Sequence, residues 1–172
     1  MKVINLYGGP GTGKSTTAAD LFAYMKWHNM NVELVNEYAK EVTWEKRYTI
    51  LEDQFYVSAK QNRKLWRIKN QVEWAVTDSP LIISLAYAHP DYLPNYFAKC
   101  ILEVFDTYDN INVFLKREKP YHELGRNQTE SQARVLDEQI KDILVSNGYP
   151  FIEVPANENA RYAIFDYIKD MK

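Results

Sequence analysis

Residues 8–15 read GGPGTGKS and match the phosphate-binding loop pattern GxxxxGK[ST] at every fixed position. Residues 3–7 before this loop are rich in β-forming side chains, and residues 16–25 after it are typical of a helix. Glycines let the backbone turn tightly, so that successive N–H groups point into one concavity. The following helix directs the positive end of its dipole to the same place. We therefore predict a P-loop that binds the phosphates of a nucleoside triphosphate.

The P-loop pattern also predicts roles for single side chains. Lys14 is expected to reach the β- and γ-phosphates, and the hydroxyl of Ser15 is expected to bind Mg²⁺. The guanine-recognition pattern Asn-Lys-x-Asp does not occur in the sequence, which argues against a GTPase and favours ATP. The predicted ATP-binding residues are Gly9, Gly11, Thr12, Gly13, Lys14, Ser15 and Thr16.

The composition is typical of one globular domain, which we take to be residues 1–172. The chain is 46% hydrophobic and 26% charged, and its net charge of −2 predicts no overall basic field for nucleic acid. The single Cys100 cannot form an internal disulfide, and the longest apolar stretch, residues 81–88, is too short to span a bilayer. A strand is predicted directly after Met1-Lys2, so we expect a cytoplasmic protein without a signal peptide or a membrane partner.

Apolar runs alternate with helical patterns along the chain, as is typical of an α/β fold with a parallel sheet covered by helices. Residues 49–70 are predicted as one long helical region, and Thr129 with Gln132 forms a capping box that opens a later helix. The predicted strands are residues 3–7, 32–36, 72–77, 111–115 and 151–154. The residues predicted to face the core from helices include Ala18, Ala19, Phe22, Met25, Phe55, Ala59, Leu65, Ile68, Ala133, Leu136, Ile140, Ile143, Leu144, Ala160, Ile164, Tyr167 and Ile168.

Two carboxylates follow predicted strands, at the edge of the sheet where ligands bind in such folds. Asp78 follows the third strand, where an aspartate supports Mg²⁺; alternatively it caps a helix that begins at Ser79-Pro80. Glu37 follows the second strand, where a carboxylate can take the proton of an attacking hydroxyl. The alternative for Glu37 is a solvated ion pair with Lys40, which otherwise is expected to hold an anion on the acceptor. We predict that Glu37 and Asp78 both contact the substrate, and the sequence leaves open which of them is the general base.

Residues 116–128 form a polar segment after the fourth strand, too long for a tight turn and placed beside the ligand crevice. We predict that this segment is a lid. Its two arginines, Arg117 and Arg126, would neutralise charge on the phosphoryl group during transfer. His122 lies in the same segment, but the three histidines are too scattered along the chain to predict a metal cluster.

A basic stretch in the second helical region has two interpretations. Its cations fall on one broad helical face, which fits either contact with a nucleic-acid backbone or a solvated helix surface. Gln54 and Gln61 lie in the same region and are candidates to read the edge of a base. The cations are Lys60, Arg63, Lys64 and Arg67.

The order of these motifs resembles that of P-loop nucleoside and nucleotide kinases, over nearly the whole chain. The motifs are the P-loop, residues 36–40 (NEYAK), residues 78–80 (DSP) and the pair Gly125-Arg126. The resemblance is greatest to small phage ATP-binding proteins related to nicotinamide riboside kinase. Some phage relatives phosphorylate a hydroxymethyl group on modified pyrimidines within DNA, as a 5-hydroxymethyluracil DNA kinase does.

The resemblance implies a three-layer P-loop fold with sheet order 2-3-1-4-5, Glu37 as the hydroxyl-activating residue, and Arg117 and Arg126 as lid arginines. The chain departs from the family at two positions. Lys40 replaces an arginine, which removes a bidentate fork, and the DSP of residues 78–80 replaces Asp-Thr-Asp, which removes one carboxylate.

The leading hypothesis is therefore a kinase that moves the γ-phosphoryl group of ATP, with Mg²⁺, to a hydroxyl of a nucleoside, a nucleotide or a modified DNA base. A second hypothesis is a P-loop ATPase, although 172 residues leave no room for the extra helical domain of oligomeric ATPases. A third is a nucleotide-sensing module that binds ATP without turnover.

Overall fold

The architecture is a five-stranded parallel sheet with helices on both faces. A computed structural model describes residues 1–89, 94–118, 120–122 and 127–171. The sheet order is β2-β3-β1-β4-β5, and every neighbouring pair is parallel, which confirms the predicted fold class. The strands are β1 (Lys2–Tyr7), β2 (Val32–Val35), β3 (Trp74–Thr77), β4 (Asp109–Lys116) and β5 (Phe151–Pro155).

Helices connect successive strands and cover the sheet. The short connection after β3 begins with a 3₁₀ turn at Leu81–Ile83. The α-helices are α1 (Lys14–Trp27), α2 (Tyr38–Trp44), α3 (Tyr48–Glu52), α4 (Gln54–Trp66), α5 (Ser84–Tyr87), α6 (Pro94–Phe105), α7 (Glu130–Ser146) and α8 (Ala160–Ile168).

The sheet separates two apolar cores, one on each face. The sheet and the helices on its two faces form the three layers of the fold. On one face α1 and α8 pack against the strands through residues such as Leu21 and Ile164. On the other face α4, α6 and α7 contribute Leu65, Phe105 and Ile140. Because β1 and β3 are covered on both sides, their side chains are buried with little alternation, as expected of a parallel sheet.

Parallel pairing brings four functional segments to one edge of the sheet. β1 ends at Tyr7 before the P-loop, β2 ends before Glu37, β3 ends before Asp78, and β4 ends before Arg117. Residues that are far apart in sequence therefore meet at the carboxyl edge of the sheet, where a ligand crevice is expected.

The predicted helical region of residues 49–70 is wrong as one helix. The chain breaks at Asp53, whose backbone is non-helical (φ −86°, ψ 82°), and the Asp53 carboxylate caps α4 by accepting from the N–H of Tyr56 at 3.0 Å. The helix then ends near Trp66, and β3 begins at Trp74 rather than at residue 72. Helices α2, α5 and α6 also form, in parts of the chain where no apolar helical pattern was identified.

Much of the buried face of α4 is polar, which the sequence pattern did not predict. Phe55 is 49% exposed and Ala59 is exposed, whereas Gln54, Ser58 and Gln61 are buried. The reason is that this part of α4 lines the cavity beside the P-loop rather than the apolar core. Tyr167 in α8 and Ala19 in α1, both predicted to face inward, are likewise exposed.

Within the described residues, no helix has the length and apolar character needed to cross a membrane.

The capping box at the start of α7 is confirmed and gives a test of the fold. The Thr129 hydroxyl accepts from the N–H of Gln132, and the Gln132 side chain accepts from the N–H of Thr129 at 2.9 Å. Thr129→Ala should therefore lower the free energy of unfolding by about 1 kcal/mol, measured by urea denaturation. The matched control Ser146→Ala, at the other end of α7, should change it by less; equal effects would contradict the capping role.

Candidate active site

The P-loop crosses the carboxyl edge of the sheet between β1 and α1. Gly13 has a left-handed backbone (φ 105°) and is the N-cap of α1, a conformation that a side chain would strain. Gly9 packs so closely against α7 that an added Cβ would collide with the carbonyl oxygen of Ala133. The loop is therefore shaped by both its own turn and the helix behind it.

Lys14 lies at the first turn of α1, with its ammonium folded over the P-loop. The ammonium donates to the carbonyl oxygens of Gly8 at 2.6 Å and Gly9 at 3.0 Å. Burial lowers the pKa of Lys14, and the negative charges of Glu37 and Asp78 oppose that shift. One cation and two carboxylates thus act on each other at the edge of the sheet.

A cavity of about 1100 Å³ opens beside the P-loop and is large enough for two small ligands. Gly11, Gly13, Lys14, Ser15 and Thr16 line one side of it. The opposite side is formed by α2, α3 and α4, and includes Glu37, Lys40, Thr43, Trp44, Tyr48, Leu51, Gln54, Val57 and Gln61. Other residues of the wall include Ser84, Tyr87, His89, Asn127 and Gln128.

Glu37 faces this cavity from the start of α2, as the N-cap residue, and its side chain makes no capping bond there. The residue is partly buried rather than freely solvated beside Lys40, whose own side chain is exposed. Burial raises the pKa of the Glu37 carboxyl; Lys14 acts against this shift, and Asp78 adds to it. A carboxylate with a raised pKa is better matched to proton abstraction near neutral pH.

Asp78 lies at the end of β3 and is 2% exposed. Its Oδ1 is buried without a hydrogen-bond partner. The 3₁₀ turn that follows has Pro80 as its N-cap and no side-chain cap, so the capping alternative for Asp78 is wrong. This carboxylate oxygen and the Ser15 hydroxyl are of the oxygen-donor type that Mg²⁺ prefers. Asp78 is not among the described residues that line the cavity, however, so a magnesium site shared by Ser15 and Asp78 stays a prediction.

Gln54 and Gln61 both line the cavity, but their amide groups are also used within the protein. The Gln61 Oε1 accepts from the N–H of Tyr38 at 2.9 Å, and its Nε2 donates to the Thr77 hydroxyl at 3.4 Å. Gln54 donates to the carbonyl oxygen of Leu51 at 2.6 Å. Gln61 therefore joins the end of β3 to the residue that follows Glu37, and base recognition stays a prediction.

Arg117 lies beside the P-loop but is not among the residues that line the cavity. Its guanidinium binds the Asp137 carboxylate and the P-loop, with both Arg117 and Asp137 largely buried. The sequence analysis missed Asp137. A signal was available, because this acid falls within the apolar stripe of α7, four residues after Ala133 and three before Ile140. Arg126 lies outside the described residues.

The four cations of the basic stretch, Lys60, Arg63, Lys64 and Arg67, differ in their surroundings. Lys64 donates to the Glu41 carboxylate and to the carbonyl oxygen of Asn36 at 3.1 Å, which ties it to the end of β2. Lys60 lies over the Tyr56 ring at 5.1 Å. Arg63 and Arg67 are exposed. Contact with nucleic acid stays a prediction for this face.

The raised pKa of Glu37 predicts how stability depends on pH. Above the ordinary glutamate pKa, about 4.3, the unfolded chain releases this proton more readily than the folded chain, because burial disfavours the charged form. Folding stability should therefore fall as pH rises through the folded pKa. Glu37→Gln removes the buried charge, so it should raise the free energy of unfolding at neutral pH and leave it nearly unchanged in acid.

Urea denaturation at the two pH values measures this difference. The matched control Glu33→Gln removes an exposed carboxylate beside Lys26 and should not stabilise the protein. Destabilisation by Glu37→Gln at neutral pH would mean that attraction to Lys14 outweighs burial.

Comparisons with known proteins agree with this architecture. A family model described as "AAA domain" matches residues 3–161. No curated protein matches the chain. Among solved structures, deoxyadenosine kinase from M. mycoides with bound dATP is similar, with 18% identity, a TM-score of 0.60, and coverage of 99% of this chain and 100% of that one. The same enzyme with the products dCMP and a flexible dCDP gives 16% identity, a TM-score of 0.58 and the same coverage. The fold is that of P-loop nucleotide kinases, and the chain belongs to this AAA domain family.

Proposed function

We propose that the protein is an ATP-dependent phosphotransferase that moves the γ-phosphoryl group to a hydroxyl of a nucleoside, a nucleotide or a modified base. One observation carries the proposal: the Lys14 ammonium and the Glu37 carboxylate face the same cavity and interact electrostatically. A P-loop alone would serve any nucleotide-binding protein. A partly buried carboxylate of raised pKa across the cavity is what a transfer to an alcohol requires.

The proposed reaction uses these groups in a fixed order. Glu37 accepts the proton of the acceptor hydroxyl, whose oxygen then forms a bond to the γ-phosphorus. The bond between the γ-phosphorus and the oxygen that bridges it to the β-phosphate breaks, and ADP leaves. Lys14 and the P-loop amides would stabilise the charge on the phosphates, and Ser15 and Asp78 would hold Mg²⁺, which neutralises further charge.

The acceptor side of the cavity supports a substrate with a planar base. Trp44 and Tyr48 line it and are 60% and 51% exposed, so they offer aromatic faces without being part of the core. Lys40 is an exposed cation at the same wall, placed to meet an anionic group. The solved structures of similar fold, which hold dATP, dCMP or dCDP, are compatible with a nucleoside or nucleotide acceptor.

A modified pyrimidine within phage DNA is the extended form of this proposal. It would add a DNA partner held through Lys60, Arg63, Lys64 and Arg67, with Gln54 and Gln61 near the base, and a place in the host cytoplasm. Of these cations, Arg63 and Arg67 are the most available, since Lys64 already binds Glu41. Arg126 stays the predicted lid arginine.

Transfer of labelled phosphate from ATP to a panel of acceptors tests the function. The panel includes free nucleosides, nucleotides, and single- and double-stranded DNA containing 5-hydroxymethylpyrimidines. Glu37→Gln should lower the transfer rate by about 10²–10⁴-fold, because a general base contributes about that much, while ATP binding stays nearly intact. The control Glu41→Gln changes a nearby carboxylate that pairs with Lys64, and it should retain transfer.

Two outcomes would contradict this assignment. Full activity of Glu37→Gln would remove Glu37 from the role of base. ATP hydrolysis or tight ATP binding without any phosphorylated acceptor would favour the ATPase or the nucleotide-sensing alternative.

Salt dependence separates a DNA acceptor from a free nucleoside. Binding to DNA should weaken steeply as salt rises, because cations on the protein release counterions from the phosphates. Lys60→Ala/Arg63→Ala/Arg67→Ala should reduce both DNA affinity and its dependence on salt, measured by fluorescence anisotropy. The triple variant should leave transfer to a free nucleoside unchanged. Identical DNA binding by the native and triple variants would rule out this face as the DNA contact.

A further inference from the structure

The P-loop has an outer side, turned away from the cavity, that is held by two residues outside the P-loop sequence. We infer that Asp137 and Arg117 are positioning residues: Asp137 sets the P-loop backbone, and Arg117 both braces the loop and cancels the charge of Asp137. The inference rests on the proposed use of the P-loop for ATP. It differs from the role of a lid arginine, since Arg117 would act on the loop and not on the transferring phosphoryl group.

The Asp137 carboxylate binds both the loop and Arg117. Its Oδ1 accepts from the N–H of Gly9 at 2.5 Å. Its Oδ2 accepts from the Nε and Nη2 of Arg117, at 3.0 and 2.9 Å. The Asp137 side chain is 14% exposed and the Arg117 side chain is 6% exposed, so this ion pair is protected from solvent. Charge-assisted, bidentate bonds of this kind specify geometry as well as adding energy.

Arg117 reaches two further groups of the P-loop. Its Nη1 donates to the carbonyl oxygen of Pro10 at 2.9 Å, and its Nη2 lies 3.2 Å from the hydroxyl of Thr12. The Thr12 hydroxyl in turn donates to the carbonyl oxygen of Gly9 at 2.5 Å. Three of four consecutive loop residues are therefore fixed from outside. Neither Asp137 nor Arg117 is among the residues that line the cavity, so they would act on a bound ligand through the shape of the loop and through their charge, without contacting it.

The pairing also solves an electrostatic problem. A lone carboxylate beside a loop built to hold phosphates would repel them. The charges of Asp137 and Arg117 both act on Lys14. Burial is the main cause that lowers the pKa of Lys14, the negative charge of Asp137 raises this pKa, and the positive charge of Arg117 lowers it. Arg117 thus allows a carboxylate to position the loop without opposing the triphosphate.

The charge balance predicts an unusual pattern of ATP affinities, measured by isothermal titration calorimetry. Arg117→Ala leaves an unpaired carboxylate beside the loop and should weaken ATP binding by about tenfold or more. Arg117→Ala/Asp137→Asn removes that charge as well and should recover part of the affinity. A purely structural contact would not predict recovery when a second contact is lost.

A matched control uses another arginine–aspartate pair that lies away from the P-loop. Arg161 donates to Asp20 at 2.6 Å, between α8 and α1. Arg161→Ala and Asp20→Asn should leave the ATP affinity within about twofold of native, since this pair touches no loop residue. The inference is overturned if Arg117→Ala binds ATP as tightly as the native chain, or if the double variant binds more weakly than Arg117→Ala.

A second measurement needs neither ATP nor an acceptor. Asp137→Ala should speed hydrogen exchange at the Gly9 amide and move its NMR resonance in the nucleotide-free protein, while amides in α8 keep their protection. An unchanged Gly9 amide would overturn the positioning role. If these patterns appear but no acceptor is phosphorylated, the proposed function fails and the inference stands. If phosphoryl transfer to an acceptor is found but these affinity and exchange patterns are absent, the proposed function stands and the positioning inference fails.

Discussion

A P-loop must present its amide groups to a ligand on one side while its other side is bound firmly enough to keep that shape. In this protein the requirement is met by the dense packing behind the loop. Gly9 lies so close to α7 that any side chain there would collide with the Ala133 carbonyl. Asp137, from the same helix, takes the Gly9 N–H. The loop, α7 and the start of the segment after β4 thus form one unit, and the rest of the site is placed relative to it.

Charge balance explains the composition of the cavity. Lys14 lies in the P-loop after β1, and Glu37 follows β2; burial alone would disfavour the charged form of both. Their mutual attraction partly compensates, since Glu37 and Asp78 oppose the lowering of the Lys14 pKa, and Lys14 opposes the raising of the Glu37 pKa. The balance is incomplete at Asp78, which keeps one buried oxygen without a partner. Groups left in this state are common where a site is completed by a ligand.

The part of α4 that lines the cavity carries buried polar residues at positions where a helix normally carries its apolar face. Gln54, Ser58 and Gln61 are buried along α4, and Gln61 joins β3 to the start of α2. This arrangement places the Glu37 backbone at a defined point of the wall. It also leaves the aromatic side chains of this region, such as Phe55, at the surface.

The sequence by itself determined the P-loop, the alternation of strands and helices, the parallel sheet, the capping box of α7, and the position of Glu37 and Asp78 after their strands. These features depend on local patterns: a glycine-rich turn, apolar runs and capping residues within a few positions of each other. The tertiary structure decided which residues from distant segments of the chain contact each other. Asp137 meets Gly9 across 128 residues, and Gln61 meets Tyr38 across 23. The burial of Gln54, Ser58 and Gln61 on α4 belongs to the same class, because these residues line a cavity that other elements complete. A sequence pattern shows which positions share one face of a helix, but the residues that this face contacts are set by how the segments pack in three dimensions.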